Sequence, residues 1–250
     1  MERSADGRII AAVISAAGSS RRMGGVKKEY RLIGGDDGEG KALTVLGGAV
    51  AAFAESPRIA FIAVAVPADP ETGEFAARNS LPARFLQPSA SPRILFVPGG
   101  LTRRASVHHA LALLAAYRPD YALIHDGARP WVETSLIERL IDEVILRRAV
   151  IPYMPLVETP KEIDDQQRVK RHLKRNQVGT AQTPQAFAYP EILLAHEQAA
   201  DRELRDHIEY TDDAEIWGEF VGPVAVIPGS PANRKITFPE DLPFSTGPAG

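Results

Sequence analysis

The feature that most constrains the fold is an alternation of short apolar runs with longer stretches of helical periodicity. Continuous apolar runs fit strands buried on both faces, whereas apolar residues three and four positions apart fit helices packed by one side. We predict strands at Ile9–Ser15, Ile59–Val66, Arg93–Val97, Tyr121–His125, Ala149–Met154 and Val224–Ile227. We predict helices at Leu43–Ala54, Thr102–Tyr117, Ser135–Arg148, Glu191–Leu204 and Asp212–Phe220. The pattern predicts an α/β fold, with a mostly parallel sheet and helices on both faces.

The composition excludes several classes of protein. A chain of 250 residues with 44% hydrophobic content can bury a sizeable core, and we predict one domain over residues 1–250. The formal net charge of −3 argues against a nucleic-acid partner, which would need a basic excess. The chain has no cysteine and therefore no disulfide or thiolate metal site. The apolar run before residue 17 is predicted to be a strand rather than a signal peptide, and no segment reaches the ~18 apolar residues of a membrane span. We expect a cytoplasmic protein without a membrane partner.

The first predicted strand ends in a loop of small residues, Ala16-Ala17-Gly18. Four cations follow: Arg21, Arg22, Lys27 and Lys28. Small residues let a ligand approach the backbone, and clustered cations favour a polyphosphate. The spacing fits neither a P-loop nor a dinucleotide fingerprint. The loop therefore predicts a nucleoside triphosphate site in which Arg22 and Lys28 hold the phosphates, the alternative being two exposed surface cations.

Asp126 follows the predicted strand that ends at His125. Ligands of open α/β sheets bind beyond the carboxyl ends of the strands, so Asp126 and Gly18 can face one crevice. A carboxylate beside a polyphosphate suits Mg²⁺, and Arg129 nearby favours an anion site. The alternative is that Asp126 caps the helix that begins near Thr134. We assign His125 no catalytic role.

Two further segments carry candidate ligand contacts. Arg103 and Ser106 follow a Gly-Gly pair in the first turn of a predicted helix, where backbone donors favour anions. Lys235 interrupts an extended segment that is otherwise half-buried, which indicates a ligand contact rather than a solvated charge. Thr211 precedes another predicted helix, and its local role is predicted to be that of N-cap.

Residues 156–182 break the alternation, because this stretch is polar and densely charged. The simple interpretation is a solvated surface loop. A loop of this length without structure is unusual inside a compact domain. We therefore predict a projecting arm that pairs with a second subunit.

Together these motifs resemble the 2-C-methyl-D-erythritol 4-phosphate cytidylyltransferases, from about Ile9 to Leu242 and in the family's order. The resemblance implies a Rossmann-like nucleotidyltransferase fold with a dimerisation arm. It also implies attack of the acceptor phosphate on the α-phosphorus of CTP, with release of pyrophosphate and Mg²⁺ as the cofactor. On this resemblance the acceptor would be a polyol phosphate that serves the non-mevalonate route to isoprenoids.

The resemblance also implies roles for individual residues. Arg22 and Lys28 match the pair that stabilises the transition state. The nucleotide would be bound by Ala16, Ala17, Gly18, Arg103, Ser106 and Asp126, with Asp126 also at the metal. The acceptor would be positioned by Arg175 and Lys235, with further contacts from Thr159, Arg129 and Thr211. In this family the arm crosses a homodimer, so Arg175 and Thr159 would serve the neighbouring subunit's site.

The chain departs from the family pattern at several positions. Lys27 stands where proline is usual before the catalytic lysine, Gly179 replaces a usual tryptophan, and residues 34–40 are an insertion. A ribitol-5-phosphate cytidylyltransferase would share nearly every motif, and a non-catalytic nucleotide-binding regulator could use the same scaffold. Arg22, Lys28, Asp126 and Lys235 argue against the regulator, because a sensor needs no groups that stabilise a transition state.

Overall fold

The computed structural model describes residues 7–18, 27–35, 40 and 42–242. Its strands in chain order are β1 (Ile10–Ser15), β2 (Leu32–Gly34), β3 (Leu43–Thr44), β4 (Ile59–Val66), β5 (Arg93–Pro98), β6 (Tyr121–Asp126), β7 (Ala149–Pro155), β8 (Lys161–Ile163), β9 (Val169–His172), β10 (Gly179–Ala181), β11 (Gln185–Ala188) and β12 (Ala225–Pro228). Its helices are α1 (Val45–Ala54), α2 (Glu74–Asn79), α3 (Arg103–Leu114), α4 (Thr134–Arg147), α5 (Glu191–Asp206) and α6 (Asp213–Phe220). Every helix of this described part is too short or too polar to cross a bilayer.

Within the described residues, an eight-stranded central sheet runs in the order β10-β7-β11-β6-β1-β4-β5, with β12 also pairing with β7. The strands β6, β1, β4 and β5 are mutually parallel, and β11 enters antiparallel between β6 and β7. Strand β1 is flanked by β4 on one side and β6 on the other, so the chain reverses its direction of travel across the sheet there. Ser15 and Asp126 are register partners at the carboxyl ends of β1 and β6. This is the switch point at which such sheets bind ligands.

The sheet is buried on both faces by helices. On one face Leu46 and Phe53 of α1 and Leu136 of α4 pack against the sheet. On the other face Leu111 of α3 and Ile192 of α5 pack against it, together with α6. Helices on both sides leave the inner strands without a polar face, which is why β1 and β4 are continuous apolar runs in the sequence.

The predicted fold class and the principal elements are confirmed. Each predicted strand begins and ends within two residues of the observed one, and α3 continues to Tyr117 as a short 3₁₀ turn. The sequence prediction missed β11, which is four residues long and follows Pro184. It also missed the short helix α2 and the small hairpin of β2 and β3.

The structure moves the C-terminal boundary of the segment predicted as an arm. Strands β8 and β9 form a two-stranded sheet of their own, but β10 is antiparallel to β7 within the central sheet. Residues 179–182 therefore lie outside the arm. A side chain at Gly179 would place its Cβ 2.0 Å from Cε2 of Tyr153, so close packing against the sheet excludes a larger residue there.

Candidate active site

The loop after β1 is held by a lysine to which sequence analysis gave no separate role. Ala16 donates its backbone N–H to Ala65, which continues the sheet beyond the end of β1. The Nζ of Lys27 donates to the carbonyl oxygens of Ala16 at 2.5 Å and Gly18 at 2.6 Å, and it lies 3.1 Å from Oε2 of Glu29. Burial lowers the pKa of Lys27, and Glu29 offsets part of that shift. Arg21 and Arg22 lie outside the described residues.

Lys28 joins this loop to the last part of the described chain. Its Nζ donates to the carbonyl oxygen of Ile236 at 2.7 Å, across 208 positions of sequence. Burial lowers the pKa of Lys28, and the charge of Lys235 lowers it further, while Glu29 and Asp126 act in the opposite direction. Lys28 and Lys235 are thus close enough to repel each other, an arrangement that favours an anion between or beside them.

Asp126 is the centre of a compact charge cluster. Its Oδ1 lies 3.2 Å from Nε of Arg103, and its Oδ2 lies 2.9 Å from Nζ of Lys235 and 3.5 Å from Nε of Arg129. Burial by itself would raise the pKa of Asp126, but Arg103, Lys235 and Arg129 hold it well below its usual range. Asp126 therefore stays ionised and does not cap α4, whose N-cap is Glu133.

The predicted helix α3 supplies the next part of the site. Thr102 is its N-cap and accepts a hydrogen bond from the N–H of Ala105 at 3.0 Å. Arg103, the first helical residue, bridges Asp126 and the buried Asp213, since its Nη2 lies 2.8 Å from Oδ2 of Asp213. The sequence carries no local signal for this role of Asp213, because Arg103 lies 110 positions away. A cation at a helix N-terminus is unfavourable by itself, so the two carboxylates account for its stability.

Ser106 fixes the Gly-Gly turn before α3. It is buried, its Oγ donates to the carbonyl oxygen of Thr102 at 2.9 Å, and it accepts from the N–H of Gly100 at 3.1 Å. A Cβ at Gly99 would lie 2.2 Å from the Cβ of Ala17, so this turn and the loop after β1 touch. The nucleotide contact of Ser106 stays a prediction.

The segment that carries Lys235 is tied down by buried amides. Gln182 donates to the carbonyl oxygen of Ser230 at 2.9 Å, and Asn233 donates to that of Thr183 at 2.7 Å. Arg129 in turn donates through Nη1 to the carbonyl oxygen of Asn233 at 2.8 Å. These bonds hold an irregular segment beside β6. No local pattern could indicate this role of Gln182, because its partner Ser230 lies 48 positions away.

Three predicted substrate contacts lie apart from the cluster or have other local roles. Thr211 is not an N-cap, because Asp212 caps α6 by accepting from the N–H of Glu215 at 2.9 Å. Thr211 instead donates to the carboxylate of Glu215 through both its N–H and its hydroxyl. Thr159 is exposed, and Arg175 donates to the carbonyl oxygen of Val157 inside the arm.

His125 is buried and joins the end of β6 to Thr183 and Arg129. Its Nδ1 lies 3.0 Å from Oγ1 of Thr183, and its Nε2 lies 3.1 Å from the carbonyl oxygen of Arg129. Since that hydroxyl already accepts from the N–H of Asp126, its own proton is available for Nδ1. This assigns a neutral ring that donates through Nε2. Burial lowers the pKa of His125 to about 4.

We expect His125 to make stability pH-dependent between about pH 6.5 and 4. The unfolded chain takes up a proton near the ordinary histidine pKa of 6.5, whereas the folded chain resists it until about 4. The unfolded state therefore binds more protons in this window, and the free energy of unfolding falls by roughly 3 kcal/mol on acidification. Urea unfolding at several pH values measures this. His125→Asn should remove most of the slope, and His172→Asn, at an exposed position, should keep it. An unchanged slope in His125→Asn would refute the assignment.

Comparison with known proteins identifies the family of this chain. Residues 10–246 match the family model of 2-C-methyl-D-erythritol 4-phosphate cytidylyltransferase. The chain is 41% identical over 235 residues to the bifunctional enzyme IspD/IspF of Nitrobacter hamburgensis, covering 93% of this chain and 53% of that one. It is 36% identical over 237 residues to the enzyme of the same name from Bartonella henselae, and the match covers 93% of this chain and 55% of that enzyme. The chain thus spans about half the length of the curated relatives it matches.

Solved structures of similar size agree with the fold. The 4-diphosphocytidyl-2C-methyl-D-erythritol synthase of Anaerococcus prevotii superposes with a TM-score of 0.76 at 28% identity, covering 95% of this chain and 96% of the other. The 2-C-methyl-D-erythritol 4-phosphate cytidylyltransferase of Francisella tularensis superposes with a TM-score of 0.71 at 26% identity, covering 94% of this chain and 96% of the other.

Proposed function

This chain belongs to the 2-C-methyl-D-erythritol 4-phosphate cytidylyltransferase family, and from that premise we propose that it transfers CMP from CTP to 2-C-methyl-D-erythritol 4-phosphate, releasing pyrophosphate. The observation that carries the proposal is the cluster around Asp126 at the switch point of the sheet. Lys28, Lys235, Arg103 and Arg129 lie around the ionised Asp126, and with Asp213 counted these four cations still outnumber the two carboxylates. Such an excess of positive charge suits a triphosphate and an acceptor phosphate.

The same cluster supports a mechanism based on positioning and charge. In phosphoryl-type transfer the protein stabilises charge on the oxygens around the attacked phosphorus. We assign this role to Lys28 and, outside the described residues, to Arg22. The acceptor phosphate is already a nucleophilic anion near neutral pH, so the reaction needs no general base. Lys235 and Arg129 would orient the acceptor, whereas Arg103, Ser106 and the Ala16–Gly18 backbone would hold the nucleotide.

Mg²⁺ fits the residues present if the nucleotide supplies most of its ligands. Among the described residues no cluster of three or more His, Cys, Asp or Glu could hold a metal. Mg²⁺ often takes a single carboxylate together with phosphate oxygens and water. Asp126 offers such a carboxylate, since its pKa is held low by its cationic neighbours. Bound Mg²⁺ would neutralise charge on the phosphates, and Asp126 would orient it.

The direct test is pyrophosphate release from CTP and Mg²⁺, with methylerythritol phosphate and ribitol 5-phosphate offered in parallel. We expect release with the first acceptor and none after chelation of the metal. Release with ribitol 5-phosphate alone would assign the chain to the rival activity. A folded protein that binds CTP but turns over neither acceptor would favour the regulator.

We also propose that the arm, residues 156–178, pairs two subunits. The hairpin of β8 and β9 is separate from the central sheet, and Val157, Ile163 and Val169 are exposed on the arm. A two-stranded sheet is marginally stable alone in water, so a second subunit would supply the missing packing. A cytoplasmic location, without nucleic-acid or membrane partners, stays a prediction.

Hybrid dimers test whether the arm serves the neighbouring site. Arg175→Ala should lower kcat/KM for the acceptor by about tenfold, the cost of one charged hydrogen bond. We expect activity to return when Arg175→Ala and Lys28→Ala proteins are unfolded together and refolded. Random pairing gives a mixed dimer in half of the cases, each with one intact site, so roughly a quarter of wild-type activity should appear. If no activity is regained, and mixed dimers are present, the arm serves its own subunit.

A further inference from the structure

A chain of buried polar side chains connects helix α5 with the cluster around Asp126. His196 and Asp213 are both fully buried. The Nη2 of Arg103 donates to Oδ2 of Asp213 at 2.8 Å, and the Nε2 of His196 lies 3.2 Å from Oδ1 of Asp213 without hydrogen-bond geometry. The Nε of Arg103 completes the chain at 3.2 Å from Oδ1 of Asp126. Asp213 has no part in the mechanism given above, yet it contacts a residue that does.

The burial of Asp213 requires compensation. A carboxylate without water costs several kcal/mol unless charged or hydrogen-bonding partners replace the lost solvation. Burial acts to raise the pKa of Asp213, but Arg103 and His196 outweigh it and leave the pKa below its usual value. The neighbours of Asp213 therefore keep it charged. Removal of that charge should first disturb the position of Arg103, which donates to Asp213.

Geometry explains what Asp213 can do for Arg103. A guanidinium carries its five donors in one rigid plane. Nη2 is held by Asp213 and Nε by Asp126, two carboxylates that approach from different elements, the start of α6 and the end of β6. Two fixed points set the orientation of the plane, and hence the direction of its other donors. Without Asp213, Arg103 could rotate about its contact with Asp126.

We propose that Asp213, supported by His196, is a positioning residue that orients the guanidinium of Arg103 for CTP. The inference rests on the proposed function, because it takes Arg103 as a nucleotide contact. Asp213 itself touches no substrate. Its role differs from that of a merely structural residue, since its effect on CTP binding must pass through Arg103.

A double-mutant cycle on CTP binding tests this. Asp213→Asn keeps the shape of the side chain but removes its charge, and we expect the Kd for CTP with Mg²⁺ to rise about tenfold. In an Arg103→Gln background the same change should alter the Kd less than twofold, because the residue being positioned is absent. Asp212→Asn is the matched control: Asn is an equally good N-cap, and the Kd should stay within twofold. His196→Leu should weaken binding by about threefold.

The cycle separates this inference from the proposed function. Additive effects of Asp213→Asn and Arg103→Gln, or an unchanged Kd in Asp213→Asn, would overturn the positioning role even if the wild type is fully active. Absence of CTP binding by the folded wild type would instead overturn the proposed function, and the inference with it. If Asp213→Asn does not fold, Asp213→Glu retains the charge one methylene further out and should displace Arg103. A Kd unchanged in that variant would also refute the inference.

Discussion

Replacement of Lys28 by alanine should lower kcat by roughly 10²–10³-fold, the usual cost of losing one donor aimed at transition-state charge. The expected change in the Kd for CTP is small, less than about threefold, because the other cations still hold the ground-state triphosphate. The variant also removes the Nζ donor to the carbonyl oxygen of Ile236, a buried residue, so a modest loss of stability should accompany the loss of turnover. Steady-state kinetics and a separate CTP titration measure the two effects.

Lys27→Ala is the natural comparison for Lys28→Ala, since it changes the adjacent lysine. Lys27 holds the carbonyl oxygens of Ala16 and Gly18, so its loss should loosen the nucleotide loop and raise the Kd for CTP. The two variants should therefore separate binding from turnover. Equal losses of affinity and kcat in Lys28→Ala would assign Lys28 to ground-state binding and contradict the catalytic role.

Asp126→Asn should be both inactive and unstable. The substitution leaves Arg103, Arg129 and Lys235 facing one another without the carboxylate that joins them. Breaking a buried charge pair by neutralising one partner costs about 3–5 kcal/mol, and the variant would also lose the ligand proposed for Mg²⁺. We expect kcat to fall by at least about 10²-fold, since both metal and cations lose their position.

Thermal unfolding and turnover should be measured together on Asp126→Asn. Asp142→Asn is a matched control, because Asp142 pairs with Arg58 at the surface and such pairs contribute ~1 kcal/mol or less. Retention of wild-type turnover by a folded Asp126→Asn protein would remove Asp126 from the proposed mechanism. Excess Mg²⁺ should not rescue the variant, because the arginines remain displaced.

The sequence pattern was sufficient to predict the strands that are buried on both faces of the sheet. Strands β1 and β4 are apolar on both faces, so their pattern could not be confused with an exposed loop. Strand β11 could not be found in this way, because four residues give too short a pattern. Thr211 and Asp212 are both good N-caps, and the choice between them depends on where packing starts the helix.

The residues proposed for the candidate site come from sequence patterns, whereas their connections come from the structure. The local signals for the proposal were the small residues and clustered cations after β1, and Asp126 after β6. The pairing of Arg103 with Asp213 spans 110 positions, and the contact of Lys28 with Ile236 spans 208. A single sequence contains no local signal for such pairs. The role of Lys27 was missed for a different reason: its acceptors are backbone carbonyls, which every residue carries.

The contact between Lys28 and Ile236 has a consequence for the order in which parts of the chain fold as it is synthesised. All twelve strands and six helices of the described chain are complete by Pro228, yet Lys235 and the acceptor for Lys28 come later. The sheet can therefore assemble before the segment that carries Asn233 and Lys235 docks against it. The charge cluster around Asp126 would then be completed after the scaffold has formed.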